Sequence, residues 1–349
     1  MRKLIVLLVL ISSAILLDSF SKRSLRDIYS QPPAEWPRPL VDEGVQWTEL
    51  GVLPESPVKK QRDSLKNVIE LGKTLFFDTR LSGSGKISCA TCHKPELNWT
   101  DGKEKSEGHE GTIVARNAPT IQNAWFYKRL FWDGRARDLQ DQAFAPIVSE
   151  SEMHSEMPEV IMKLRNIKGY RELFRKAYGT DDIDPDLMTN AIAVFEKTIT
   201  SRKSRFDEFL EGDKRALTNS ELRGLHLFRT KARCMSCHHG PMFTDNLFHK
   251  NVFTNDDKGY YKVSHKEEDM GKFKTPSLRD VMRTGPWMHS GMLKSVQDIL
   301  VVYNKELPSV SGDKMHILNL SKKERADLVA FLKAISSPPV DFQKPVLPE

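Results

Sequence analysis

Apolar positions along the chain recur mostly with the three- to four-residue rhythm of helices, and the strict alternation of a strand is rare and short. Leu65, Val68, Ile69, Gly72, Leu75 and Phe76 trace one helical face. Ile192, Val194, Phe195 and Ile199 mark a second helix, and Val296, Ile299, Leu300 and Tyr303 share the face of a third. Three starts are signposted by a hydroxyl residue with an acid three positions on: Thr218-x-x-Glu221, Ser295-x-x-Asp298 and Ser321-x-x-Glu324. In that spacing each side chain satisfies a backbone N–H that the first helical turn leaves free. The pattern predicts a mainly α fold with few short strands and long loops.

The N-terminus departs from this rhythm. Behind Met1, Arg2 and Lys3, an apolar run from Leu4 to Leu17 is broken only by Ser12 and Ser13. It is shorter than the roughly 20 residues that span a bilayer and suits a secretory signal over residues 1–22. The stretch Leu16-Leu17-Asp18-Ser19-Phe20 lacks a small-residue cleavage pattern, so an uncleaved N-terminal anchor is the alternative. Residues 23–58 carry Pro32, Pro33, Pro37, Pro39, Pro54 and Pro57 with little periodicity and read as an extended leader.

Beyond the leader the chain repeats itself. Gly72-Lys-Thr-Leu75-Phe76 returns as Gly224-Leu-His-Leu227-Phe228, and Asn98-Trp99-Thr100-Asp101 as Met242-Phe243-Thr244-Asp245. At an offset of 157, Ala118-Pro119-Thr120-Ile121 matches Thr275-Pro276-Ser277-Leu278, Gly134 matches Gly291 and Gln140 matches Gln297. So long a period means a duplicated domain rather than a solenoid. The expected boundary lies near Ser201–Ser204, giving domains over 59–203 and 204–340, and 349 residues suffice for two cores. The net charge of +6 is small and spread along the chain, so it gives no sign of nucleic acid as a partner.

The four cysteines change the picture most. They form two pairs, each followed by histidine: Cys89-Ala-Thr-Cys92-His93 and Cys234-Met-Ser-Cys237-His238. C-x-x-C-H is the spacing of c-type haem attachment, two thiols making thioethers and the histidine reaching the iron. A redox dithiol would not require histidine at the fifth position twice. A zinc site or a disulfide would not explain one motif per repeat. The reading is one covalent haem c per domain, which agrees with export.

With these motifs the chain resembles the bacterial di-haem cytochrome c peroxidases and the related MauG-type enzymes, over residues from about 60 to 335. The resemblance rests also on Arg116-Asn117-Ala118-Pro119-Thr120, Phe131-Trp132-Asp133-Gly134-Arg135, Glu152-Met153 and Thr284-Gly285-Pro286-Trp287-Met288-His289-Ser290-Gly291. It implies two cytochrome c-like domains in tandem, with peroxide handled at the first haem and electrons entering by the second. It also implies that Gln142 and Glu152 are polar groups over the first haem, Glu152 shuttling a proton between the peroxide oxygens. Trp132 would lie between the haems as a relay. Asn117, Thr284 and Pro286 would hold one interdomain Ca²⁺ through oxygen ligands.

Sixth ligands are where the two branches of the family differ. His109, in the glycine-flanked Ser106-Glu-Gly-His109-Glu-Gly111, stands where many of the peroxidases cap the oxidised first haem. Tyr303 stands at the position of the second haem's ligand, which is tyrosine in MauG-type enzymes and methionine in most peroxidases; Met288, Met292 and Met315 are alternatives. The repeat equivalent of Tyr303 is Pro146, expected to remove a helical turn and leave space over the first haem. The resemblance therefore implies an exported, periplasmic peroxidase that takes electrons from a small cytochrome c or copper protein. The alternatives are a MauG-type oxidase acting on a partner protein and a di-haem electron carrier. The resemblance also admits a homodimer.

Overall fold

The computed structural model describes residues 23–250, 256–305, 317–339 and 341–349. The expected export segment and Met315 lie outside the described residues. No helix among the described residues is long and apolar enough to cross a membrane. The fold is mainly helical: α1 Leu25–Tyr29, α2 Lys66–Phe77, α3 Cys89–Cys92, α4 Leu139–Val148, α5 Met157–Asn166, α6 Lys168–Tyr178 and α7 Pro185–Glu196 come first. They are followed by α8 Arg205–Leu210, α9 Asn219–Arg229, α10 Tyr261–Ser264, α11 Val296–Lys305 and α12 Lys322–Ala334. β1 Phe248–Lys250 and β2 Lys272–Lys274 form one short antiparallel pair.

Helix starts follow the expected chemistry. Thr218 and Ser321 make reciprocal capping boxes with Glu221 and Glu324. Ser295 Oγ accepts the Asp298 N–H at 3.0 Å, opening α11 at Val296.

Buried apolar side chains gather in two clusters. One runs from Val68 to Ile199; the other joins Phe206 to Ile335 with Tyr29, Trp36 and Leu50 of the leader. The segment expected to be merely extended thus begins with α1, capped by Ser24, and buries three large side chains in the second cluster. Arg229, fully buried, fastens it there: its guanidinium pairs with Glu49, donates to the Pro37 carbonyl at 2.6 Å and sits 5.0 Å from the Trp36 ring. The opposite end of the chain crosses the other way. Phe342 stacks on Phe77 and meets Trp99 edge-on at 5.0 Å, and Arg80 donates to the Pro348 carbonyl.

The repeated glycines have a packing reason. α2 crosses α7 and α9 crosses α12 at close range. A Cβ on Gly72 would fall 1.8 Å from the Ala191 carbonyl oxygen, and one on Gly224 would fall 2.0 Å from that of Asp327. Each half keeps its glycine because two helix backbones touch there. Alanine is worth about 1 kcal/mol more than glycine inside a helix, but overpacking against backbone costs about 1–3 kcal/mol or more. Gly224→Ala is therefore expected to lower stability by roughly 1–2 kcal/mol in denaturant unfolding. An unchanged or raised midpoint would contradict the crossing as its cause.

Candidate haem-attachment site

Both C-x-x-C-H segments are held by one device. The His93 Nδ1–H donates to the Trp99 carbonyl at 3.1 Å, and the His238 Nδ1–H to that of Phe243 at 2.9 Å. A carbonyl only accepts, so each ring carries its proton on Nδ1 and keeps the Nε2 lone pair free for a metal. The accepting residues are matching members of the repeat, and both lie in the left-handed region, Trp99 at φ 61° and Phe243 at φ 53°. Large side chains rarely adopt that conformation, which costs about 1–3 kcal/mol and persists only where the surroundings impose it.

The surroundings are duplicated too. The Thr120 hydroxyl donates to the Asn98 carbonyl and the Ser277 hydroxyl to that of Met242, both at 2.6 Å. Asp101 accepts the Lys103 N–H and Asp245 the Leu247 N–H, both at 2.9 Å. Further on, the Leu130 N–H bonds the Ala136 carbonyl as the Trp287 N–H bonds that of Leu293. The motifs seen as sequence repeats are therefore repeats of hydrogen bonds.

None of the four half-buried cysteines is in a disulfide. Burial pushes each above the ordinary value, Cys234 to about 12. That is opposite to the depressed thiol of a reactive dithiol. Burial lowers His93 and His238, keeping both imidazoles neutral as metal ligands require. The donor set fits covalent haem: two thiols for thioethers and one oriented imidazole in each half.

Around the first pair the structure assembles Glu152 and His109. Glu152 is half-buried and near enough to Cys89 and Cys92 to raise both thiols. Burial raises its own carboxyl, against the pull of the Arg135 cation and a bond from Ser149. The Glu152 carbonyl accepts the His109 N–H at 2.8 Å. A Cβ on Gly108 would fall 1.9 Å from the Ser151 carbonyl oxygen, so the His109 loop lies directly on the Glu152 turn. The His109 ring stacks on His154 at 4.5 Å, and its Nδ1 is buried without a hydrogen-bond partner among the described residues. His154 was not singled out by the sequence.

Gln142 sits half-buried on α4, whose later residue Pro146 accepts the Met153 N–H next to Glu152. Pro146 does not remove a turn: α4 continues to Val148 and spans the same repeat positions as α11. The contrast with Tyr303 is between a proline ring and a phenol on equivalent helices. Tyr303 is half-buried on α11 and feels both Cys237 and Cys234; burial, with these thiols adding, raises its phenol well above the ordinary value. Met292 is 49% exposed, on the surface, and Met288 is half-buried.

Trp132 links the halves. Its indole N–H donates to the Asn117 carbonyl at 2.9 Å, and its own carbonyl accepts the Lys274 N–H at 2.9 Å. The Asn117 amide nitrogen donates to the Lys103 and Glu104 carbonyls, and its backbone N–H to the His289 carbonyl. That leaves the Asn117 side-chain oxygen as the group it could offer a cation. Thr284 and Pro286 are half-buried in the segment leading to His289. Arg116 pairs with Asp133 at 2.6 Å and Asp257 at 2.7 Å, closing the junction. His289 is 2% exposed, stacked on Phe273, and neither ring nitrogen has a partner among the described residues.

The chain has clear relatives. Residues 66–215 match the family described as di-haem cytochrome c peroxidase. It is 39% identical over 286 residues to the methylamine utilization protein MauG of Methylophilus methylotrophus, covering 80% of this chain and 85% of that one. It is 36% identical over 315 residues to the cytochrome c551 peroxidase of Nitrosomonas europaea, covering 87% and 92%. A crystal structure of a MauG-like protein associated with microbial copper homeostasis superposes with a TM-score of 0.72 at 26% identity, covering 85% of this chain and 96% of that one.

Proposed function

The chain belongs to the family of di-haem cytochrome c peroxidases and MauG-type enzymes, and on that premise we propose that it is an exported, periplasmic peroxidase. It reduces H₂O₂ to water with two protons and two electrons, the electrons coming from a small cytochrome c or copper protein. Two covalent haems c supply the redox chemistry, held by Cys89, Cys92 and His93 in the domain over 59–203 and by Cys234, Cys237 and His238 in the domain over 204–340. The observation that carries the reading is Glu152, a half-buried acid with a raised affinity for its proton beside the first attachment pair. An electron carrier has no use for such a group.

The residues divide the work. Glu152 holds a proton on its carboxyl and delivers it to the departing peroxide oxygen, general acid catalysis worth about 10²- to 10⁴-fold. Gln142 orients the peroxide beside it. His109, on the loop docked against the Glu152 turn, would cover the first haem's open side at rest and leave with its loop on activation. Trp132, pinned at both its indole and its carbonyl, carries electrons across the junction. Asn117, Thr284 and Pro286 hold a Ca²⁺ that stiffens that junction.

One observation favours the MauG-type reading, in which the chain oxidises a residue of a partner protein. Tyr303 lies within electrostatic reach of both cysteines of the second pair, and a phenol there stabilises ferric iron more than a thioether does. Steady-state H₂O₂ turnover with reduced cytochrome c decides between them. Sustained turnover that falls about 10²- to 10⁴-fold in Glu152→Gln is expected, and negligible turnover in both the oxidised and half-reduced protein would overturn the peroxidase reading. Tyr303→Phe is expected to alter the absorption and electron paramagnetic resonance spectra of the second haem. A spectrum identical to the parent would exclude Tyr303 as ligand.

A further inference from the structure

The aromatic rings behind the two orienting carbonyls are duplicated as well. Phe228, Phe331 and Phe206 surround Phe243, with ring centroids 6.0, 6.2 and 5.8 Å from it. Phe76, Phe195 and Phe342 surround Trp99 in the same way, at 5.9, 6.2 and 5.0 Å. The outer rings repeat their contacts too: Phe76 lies 5.4 Å from Phe195 and Phe228 lies 5.3 Å from Phe331. Phe342 meets Phe195 at 6.2 Å, and Phe206 meets Phe331 at 5.4 Å.

The third member of each cage comes from the opposite half. At an offset of 136, Phe195, Ile199, Ser201 and Phe206 correspond to Phe331, Ile335, Ser337 and Phe342. Hydrogen bonds hold this register. The Ile199 carbonyl accepts the Asn123 N–H as that of Ile335 accepts the Asp280 N–H. The Ser201 and Ser337 N–H groups donate back to the Asn123 and Asp280 side chains. Phe206 and Phe342 thus each follow the closing helix of one half, α7 or α12, and enter the cage of the other. The exchange is reciprocal although Phe206 sits on α8 and Phe342 on a segment without helix. That segment is fixed in place: the Pro348 carbonyl accepts from Arg80 at 3.0 Å and the Glu349 carbonyl from the Gly169 N–H at 3.1 Å. Phe77 stacks on the Phe342 ring at 5.4 Å, and the Lys73 ammonium lies 5.2 Å from its centre.

Trp99 is where this arrangement meets the haem-attachment site. Its backbone is held at φ 61°, and its carbonyl takes the His93 Nδ1–H. A bulky residue keeps that conformation only where its surroundings impose it, and Phe342 is the nearest of the three rings. We propose that Phe342 is a positioning residue for His93. By holding the Trp99 side chain it aims the Trp99 carbonyl at the imidazole, so a residue beyond the last helix of the second half tunes the ligand of the first haem. The proposal rests on the haem attachment read above. A histidine whose N–H is firmly held is the more basic ligand and favours ferric iron.

Resonance Raman spectra of the ferrous full-length holoprotein and a redox titration, each haem read separately, test this. In Phe342→Ala the iron–histidine stretch of the first haem is expected to fall in frequency. Its reduction equilibrium is expected to move toward ferrous by up to about tenfold, the lower end of what losing an outer partner of a metal-bound histidine does. The second haem keeps the parent's values. Phe206→Ala reverses the pattern, and Phe342→Trp restores the parent's. A Phe342→Ala protein that carries both haems with the first haem's band and equilibrium unchanged, whatever its unfolding midpoint, overturns the proposal. So does a change of equal size at both haems. Should Phe342→Ala lose haem, Phe342→Leu, which keeps apolar bulk without a ring, is read in the same way. A parent protein that carries no covalent haem overturns the attachment reading instead.

Discussion

Two hydrogen bonds set the terms for the rest of this protein: the His93 Nδ1–H to the Trp99 carbonyl and the His238 Nδ1–H to the Phe243 carbonyl. Each fixes a tautomer with the lone pair on Nε2, so each decides whether the histidine can serve an iron at all. Aiming the carbonyl requires a left-handed backbone at a bulky aromatic, and that strain needs outside support. The Thr120 and Ser277 hydroxyls and the Asp101 and Asp245 turns supply it in the two halves. The glycine-mediated helix crossings hold the frame on which these loops rest.

The chain ends then bind each half from behind. The leader closes over the second attachment loop: Asp42 pairs with Arg233, and Thr48 accepts the Gly240 N–H at 3.1 Å. The tail lays Phe342 against Trp99, the residue whose carbonyl orients His93. The two sites are thus alike on the histidine side and differ on the other. The first has Glu152, the docked His109 loop and Pro146; the second has Tyr303 on an equivalent helix. The proposed division of function follows that asymmetry, with peroxide chemistry in the half that carries the acid.

Much of this was legible in the sequence because it depended on local rules. Helical periodicity located α2 and α11, and the hydroxyl–acid spacing located the starts of α9, α11 and α12. The repeat exposed the duplicated loops, although their reason, backbone carbonyls aimed at histidines, became visible only with φ angles at Trp99 and Phe243. What stayed hidden was non-local. Nothing local marks Tyr29, Trp36 and Leu50 as members of a core whose other residues follow more than 150 positions later. His154 gave no signal because its stacking partner comes from another loop. Pro146 lies inside α4, yet the helix runs on to Val148, and the carbonyls of Pro146 and Ile147 at its end are taken up by the Met153 and Ser155 N–H groups of the following turn, a non-local contact that periodicity does not reveal.

The central claim is that both duplicated histidine–carbonyl locks serve covalently attached haem. Intact mass of the purified protein under denaturing conditions, paired with its pyridine haemochrome spectrum, tests it most directly. Two haems retained per chain, lost one at a time when Cys89 and Cys92 or Cys234 and Cys237 are changed to serine, is the result the account predicts. A mature chain bearing no haem, or bearing one that survives loss of its own cysteine pair, would contradict it.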